Sequence, residues 1–250
     1  MPRSRKKNTP DINGMSAKQM KRRKPINSDM LVEIEPLTTA QEKVFEDWNN
    51  DKNLFLYGAA GTGKTFVALY LALQEVLKED SPYDKVYLVR SLVATREIGF
   101  LPGDHEDKSS LYQIPYKNMV KYMFEMPDDN SFEMLYGNLK TQETVSFWST
   151  SFIRGTTLDR AIVIVDECQN LNFHELDSII TRVGEDTKII FCGDVHQSDL
   201  VKSGEKNGVI DFMSILRLMD EFGMTEFGVE DIVRSGLIKS YLVSKISLGL

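Results

Sequence analysis

Apolar positions along the chain fall into two kinds of pattern, short continuous runs and longer stretches in which they recur every three to four residues. Leu54-Phe55-Leu56-Tyr57, Val86-Tyr87-Leu88-Val89, Ala161-Ile162-Val163-Ile164-Val165 and Ile189-Ile190-Phe191-Cys192 are runs of the first kind. They are short, rich in β-branched and aromatic residues, and do not alternate with polar ones. Strands buried on both faces have this signature. Helical spacing occupies the stretches between them. Thr38 or Thr39 is placed to cap a helix whose face is Val44, Phe45 and Trp48 and which ends near Asn49-Asn50. Further helical patterns run over 64–77, over 112–126 with an interruption at Pro115, and at about 172–183, 208–222 and 230–246. Residues 131–152 carry no clear period. Strands alternating with helices predict an α/β fold with a parallel sheet covered by helices on both faces.

The segments just past the strands carry the chemistry. Gly58-Ala59-Ala60-Gly61-Thr62-Gly63-Lys64-Thr65 comes after the first run and opens a helix. Its spacing is that of a P-loop, in which glycines let backbone N–H groups surround phosphate oxygens at the positive end of a helix. Lys64 is then the residue that reaches the β- and γ-phosphates, and Thr65 the hydroxyl that meets Mg²⁺. Asp166-Glu167 ends the third run, where ligands gather in open parallel sheets. An Asp there can hold Mg²⁺ and an adjacent Glu can polarise water for attack on phosphorus. Gly193-Asp194-Val195-His196-Gln197 ends the fourth run. Its G-D-x-x-Q pattern resembles the motif with which superfamily 1 helicases sense a γ-phosphate, with Gln197 as the sensing amide and Asp194 either a participant or a turn residue. Gln41 has two readings, an adenine-reading amide ahead of the P-loop or an exposed helix glutamine.

Charge adds a division that periodicity does not show. Residues 1–25 hold nine Lys and Arg against Asp11 alone, a net +8. Removing them from the 30 basic and 37 acidic residues of the whole chain leaves a body of −15. A basic segment without apolar periodicity cannot offset its ordering entropy, so it is expected to be mobile, either as a solubilising tail or as an arm that binds nucleic-acid phosphates. The expected division is a tail over 1–30 and one domain over 31–250. The 250 residues leave no comfortable room for two complete ATPase lobes. No apolar window approaches a membrane span and no secretory pattern follows the first Met, from which a cytoplasmic protein without a membrane partner is expected. Cys168 and Cys192 are too few for a disulfide framework or a zinc site and read as buried thiols.

Taken in order, these blocks resemble the PhoH family of P-loop ATPases. Gly99-Phe100-Leu101-Pro102-Gly103 is similar to its G-F-L-P-G segment, 152–158 to its Y-M-R-G-R-T-L segment, Thr181-Arg182 to T-R-x-G, and Asp231-Ile232-Val233-Arg234 to D-V-V-R. The likeness covers about 38–245 and places a strand at Val145-Ser146-Phe147-Trp148. Ser91, Thr156, Cys168 and Ser235 depart from the family pattern, where proline, arginine, alanine and histidine stand. The absence of a guanidinium at Thr156 bears on phosphate or nucleic-acid contact. The family is associated with phosphate starvation and with phage genomes.

The resemblance implies a single RecA-like motor lobe that binds ATP and Mg²⁺, hydrolyses ATP, and acts on single-stranded RNA or DNA. A lone lobe lacks the second lobe that supplies an arginine to the γ-phosphate, which implies a homo-oligomer, a hexameric ring, with Arg234, Arg182 or Arg154 crossing to a neighbour. A small-molecule phosphotransferase and a nucleotide-responsive scaffold are the alternatives. Deleting residues 1–25 is expected to weaken strand binding and to flatten its salt dependence, by a slope of about 0.7 for each phosphate the tail engages. Turnover without nucleic acid is expected to be unchanged. Parallel salt titrations of the two forms measure this, and superimposable curves would exclude the arm.

Overall fold

The computed structural model of the chain describes residues 26–91, 105–153, 155–194 and 208–248. The tail over 1–25, the Gly99–Gly103 block, Arg154 and Gln197 lie outside the described residues. Residues 26–30, grouped with the tail by sequence, include a 3-10 turn at Ser28–Met30. Ser28 N donates to Leu77 O at 3.2 Å, and Ile26 packs against the core.

The elements follow the alternation of the sequence. Helix α1 (Thr39–Asn49) starts at Thr38, whose side chain accepts from Gln41 N, and buries Val44 and Trp48. Strand β1 (Asn53–Gly58) leads through the P-loop into α2 (Lys64–Val76), which is buried on nearly every side because it lies directly on the sheet. Strand β2 (Lys85–Arg90) comes next. Helices α3 (His105–Phe124) and α4 (Asp129–Thr141) then precede β3 (Val145–Ser149) and the short α5 (Thr150–Ile153). Strand β4 (Ala161–Asp166), α6 (Phe173–Ile180), β5 (Thr187–Gly193), α7 (Gly208–Leu216), β6 (Phe222–Phe227) and α8 (Gly236–Ser247) complete the described chain.

The six strands form one sheet in the order β3-β2-β4-β5-β1-β6, and every pairing is parallel. Alternate residues of each strand feed opposite cores. Leu54, Leu56, Val86, Leu88, Ile162, Ile164 and Ile190 join the layer that contains α2. Phe55, Val89, Val163, Val165, Ile189 and Phe191 join the layer that contains α6 and α7. Both faces are covered, so the runs are apolar at every position. None of the described helices is long and apolar enough to cross a membrane.

Two expectations need correction, and one gap is filled. Pro115 lies within α3 and does not interrupt it. It stands on the exposed side, as does Leu111, whose carbonyl loses its helical partner and can turn to water. The helical pattern over 208–222 stops at Leu216, and a sixth strand succeeds it that the sequence did not disclose. Phe222-Gly223-Met224-Thr225-Glu226-Phe227 is short of apolar residues because it is an edge strand, paired among the described residues with β1 alone. The unassigned stretch over 131–152 contains α4, which Asp128 caps by accepting from Ser131 N, and the strand that the family resemblance placed at Val145–Trp148.

A close approach of α7 to α6 yields a stability test. A Cβ added to Gly208 would lie 2.4 Å from Phe173 N, against backbone that cannot move aside cheaply. Gly208→Ala is expected to destabilise the fold by about 1–3 kcal/mol. The effect should appear as a lower urea midpoint with an unchanged slope.

Candidate active site

Strand order decides which loops can meet. Because β4, β5 and β1 are neighbours in a parallel sheet, their carboxyl ends bring Asp166, Gly193 and Gly58 to one edge. Segments 135 residues apart in sequence, Gly58 and Gly193, thus become adjacent loops.

The P-loop is held in shape by its glycines and by β6. Gly58 has φ +114°, and a Cβ there would lie 2.2 Å from Phe227 O. Ala59 N donates to that same carbonyl at 2.9 Å. Gly61 and Gly63, at φ +77° and +84°, turn the loop into α2 through the left-handed region that other residues enter at a cost. Lys64 is buried inside the curl. Its Nζ donates to Gly58 O at 2.9 Å, Ala59 O at 2.7 Å and Thr62 Oγ1 at 3.4 Å. Burial pushes the Lys64 ammonium below the usual lysine value, while Asp194, Cys192, Glu167 and Asp166 oppose that shift. A buried ammonium bonded to neutral oxygens at a helix amino terminus fits a phosphate, which would supply a close counter-charge.

Across from the loop, Thr65 Oγ1 donates to Asp166 Oδ1 at 2.8 Å, and Tyr116 OH donates to Asp166 Oδ2 at 2.6 Å. Burial raises the Asp166 carboxyl above the ordinary value, and the charge of Glu167 adds to that direction. The two hydroxyl donors and Arg90 oppose it. Tyr116 itself is shifted upward by burial and by Asp166, so its phenol remains the donor. One hydroxyl and one carboxylate at hydrogen-bond distance form a hard-oxygen pair suited to Mg²⁺, which takes few protein ligands and completes its shell with water and phosphate oxygens. The described residues contain no cluster of three or more His, Cys, Asp or Glu placed for a metal, and such a cation needs none.

Glu167 stands next in a left-handed conformation at φ +53°. Gln169 Nε2 donates to Glu167 Oε2 at 2.6 Å, and Gln169 Oε1 accepts from Asp194 N at 3.0 Å. One amide therefore ties the end of β4 to the end of β5. Gly193 is required by the same contact, since a Cβ there would lie 2.6 Å from Gln169 Oε1 and 2.7 Å from Cys168 Sγ. Cys168 and Cys192 are buried free thiols.

Gln41 is not an exposed helix glutamine. It is buried, accepts from Leu37 N at 2.8 Å and donates to Thr62 O at 3.1 Å, so its amide braces the P-loop. The signal was present as Thr38-Thr39-Ala40-Gln41, the spacing of a capping box. Arg234 also meets this loop. Val233 N donates to Gly61 O at 3.1 Å, and a Cβ on Gly61 would lie 2.9 Å from Arg234 Cγ. Asp231, accepting from Gly228 N at 2.8 Å, shapes the turn that delivers the pair. Arg234 thus lies over the P-loop of its own chain. Arg182 is not brought to the site. Its carbonyl accepts from Leu158 N, at the amino-terminal edge of β4 and β5.

Sequence reasoning missed Tyr116, Arg90 and Gln169. Arg90 ends β2 in register with Asp166, and its guanidinium lies over the Tyr112 ring at 5.7 Å. Its position at a strand's carboxyl end was a usable signal, and so was the position of Gln169 two residues after Glu167.

Relatives of the chain are found among known proteins. The family model described as PhoH-like protein matches residues 33–244. A PhoH-like protein of Synechocystis sp. is 34% identical over 186 residues, covering 74% of this chain and 54% of that one. Protein PhoH of Escherichia coli is 32% identical over 191 residues, covering 76% of this chain and 51% of the relative. The chain thus spans about half the length of these two relatives. Among solved structures, the large terminase of a thermophilic bacteriophage, in complex with ADP, is similar at TM-score 0.44 and 14% identity, covering 82% of this chain and 49% of the terminase. The Pif1 helicase of Candida albicans is similar at TM-score 0.37 and 18% identity, covering 78% and 40%.

The buried carboxylate makes a prediction with a defined sign. Since the folded state raises the Asp166 pKa, the stability linked to its bound proton is present at acid pH and is lost as pH rises through the folded value. At neutral pH the charge is a cost. Asp166→Asn is therefore expected to raise Tm at pH 7, by about 2–4 °C for each kcal/mol relieved, and to lose that advantage toward acid pH. Thermal unfolding of both proteins across pH checks it.

Proposed function

This chain belongs to the PhoH-like protein family, and from that premise we propose that it binds ATP with Mg²⁺, hydrolyses it, and couples hydrolysis to single-stranded nucleic acid. The observation that carries the hydrolytic reading is the Thr65 Oγ1 to Asp166 Oδ1 contact of 2.8 Å, made beside the coiled Lys64. Thr65 and Asp166 would hold the cation, which when bound neutralises phosphate charge. Lys64 would exchange its carbonyl partners for β- and γ-phosphate oxygens, with the loop N–H groups of 58–65 around them. Glu167, oriented by Gln169, would accept a proton from the water that attacks phosphorus as the bond to the leaving diphosphate breaks. Gln197 is assigned the γ-phosphate contact on its G-D-x-x-Q position.

Arg234 is assigned to the nucleotide bound by its own chain, because its side chain covers Gly61. The ring expected for a lone lobe, with an arginine crossing between copies, rests on the family resemblance. Gln41 supports the loop through one amide N–H, and an adenine contact would use the other. The nucleic-acid reading rests on the +8 tail and on the order of the three motifs. ATP turnover measured alone and with single-stranded RNA, single-stranded DNA or duplex tests it, with stimulation by a single strand expected.

Lys64→Ala is expected to stay folded and to lose MgATP binding, read by nucleotide titration and circular dichroism. Glu167→Gln is expected to retain MgATP while turnover falls by about 10²–10⁴-fold, since the amide keeps the shape and loses the base. Equal binding losses in the two variants would remove Glu167 from the role of base.

A further inference from the structure

A cavity of about 230 Å³ opens between α3, α4 and the edge strand β3. The rings of Tyr116, Tyr136 and Phe147 line it, together with Gln113 and Lys140, while the Trp148 indole packs against Tyr87 on the other face of the sheet. The Tyr116 and Phe147 rings stand 5.6 Å apart, and Lys117 lies over Tyr136 at 5.5 Å. Lys140 Nζ, on an exposed side chain, contacts Gln113 Oε1 at 3.4 Å. An ion pair of 2.7 Å between Lys117 and Glu133 braces α3 against α4 beside it.

The chemistry of these walls selects a class of ligand. The volume lies below that of pockets for drug-sized molecules and suits a single planar ring system. Aromatic faces stack on any base, an amide pairs with base edges, and a lysine complements the phosphate that adjoins a base in a strand. Tyr116 has a second attachment. Its ring lines the cavity while its hydroxyl donates to Asp166 Oδ2 at 2.6 Å. A ligand that presses on this ring acts on the carboxylate that pairs with Thr65.

We propose that this cavity takes one unstacked base of a single-stranded nucleic acid, and that Tyr116 carries its occupancy to Asp166. This assignment rests on the nucleic-acid reading and gives that reading a contact point and a route to the nucleotide. Tyr116 is a positioning residue in this scheme: its hydroxyl already holds Asp166 toward Thr65, and a base packed on its ring restrains that contact.

Titrating a short end-labelled single-stranded oligonucleotide with the protein is expected to raise its fluorescence anisotropy, saturating in step with the stimulation of ATP turnover. Tyr136→Leu keeps apolar bulk and removes a stacking face. It is expected to weaken strand affinity roughly 5- to 150-fold, the equivalent of one stacked base at about 1–3 kcal/mol, with turnover in the absence of strand unchanged. Gln113→Leu, a second variant that spares the core, is expected to weaken affinity as well. Tyr116→Phe keeps the ring and is expected to bind strand normally while losing stimulation, with rescue absent at any strand concentration. If strands stimulate the wild type yet Tyr136→Leu and Gln113→Leu match it in affinity, the cavity assignment is overturned and the nucleic-acid reading stands. If Tyr116→Phe is fully stimulated, the route to Asp166 is overturned. If no strand binds the wild type, both the proposal and the reading fall.

Discussion

Parallel pairing imposes the constraint on which everything else depends. A parallel sheet carries all its strand carboxyl ends on one edge, so a loop leaving one strand can meet only the loops of its neighbours there. With β5 between β4 and β1, the Asp166-Glu167 turn and the P-loop flank Gly193-Asp194. No side chain needs to reach far, and short contacts suffice: Thr65 to Asp166, and Gln169 to both Glu167 and Asp194 N. The two apolar layers fix the sheet that fixes this order, because alternate residues of each strand enter opposite cores and a register slip of one residue would exchange them.

At this edge the protein accepts a local loss of stability. Lys64 and Asp166 are both buried, and burial shifts each toward its neutral form. Were these positions apolar, they would contribute to the core. Their surroundings only partly relieve the penalty: Lys64 leans on loop oxygens, and Asp166 accepts from two hydroxyls. The glycines add an entropic cost of ordering, and no other residue could replace them without strain, most plainly Gly58, whose pro-Cβ position is filled by Phe227 O. Sites arranged this way bind charge well because they are already desolvated and their donors already point inward.

Legibility in the sequence depends on the range of the contacts involved. The four central strands, the P-loop and the Asp166-Glu167 turn are readable because each strand is a continuous apolar run stopped by residues that cannot extend it. Edge strand β6 is not, since Gly223 and Glu226 break the run and its pairing with β1 is a tertiary event. Gly223 itself answers to Asp47, whose Oδ2 would lie 2.5 Å from an added Cβ. Tyr116 cannot be found from spacing, because it stands 50 residues before Asp166 and looks like one more apolar position of α3. Gln41 is visible but ambiguous: its place ahead of the P-loop suggests a base contact, whereas its place three residues after Thr38 describes a residue tied to the start of α1. Arg234 is legible as part of a block and not as a location, because its contact with Gly61 depends on the Asp231 turn.

The connection between β2 and β3 bears on why Tyr116 is there at all. These strands are neighbours, and a parallel crossover between neighbours needs only a dozen or so residues with one helix. This chain uses residues 91–144 and includes, among the described residues, two helices, of which α4 packs on α3 and β3. Such an elaboration must offset its own ordering entropy. Part of the offset is burial, through Val120, Met123, Phe132, Leu135 and Leu139. The remaining gain is positional, because the same helix that buries Val120 and Met123 sends Tyr116 to Asp166 and leaves the ring on a cavity wall. A minimal crossover would preserve the sheet, the P-loop and the Thr65–Asp166 pair, but it would leave Asp166 Oδ2 without its phenol donor. Among the described residues, the insertion is therefore joined to the carboxyl edge of the sheet through the Tyr116 hydroxyl on Asp166 and the Tyr112 ring under Arg90.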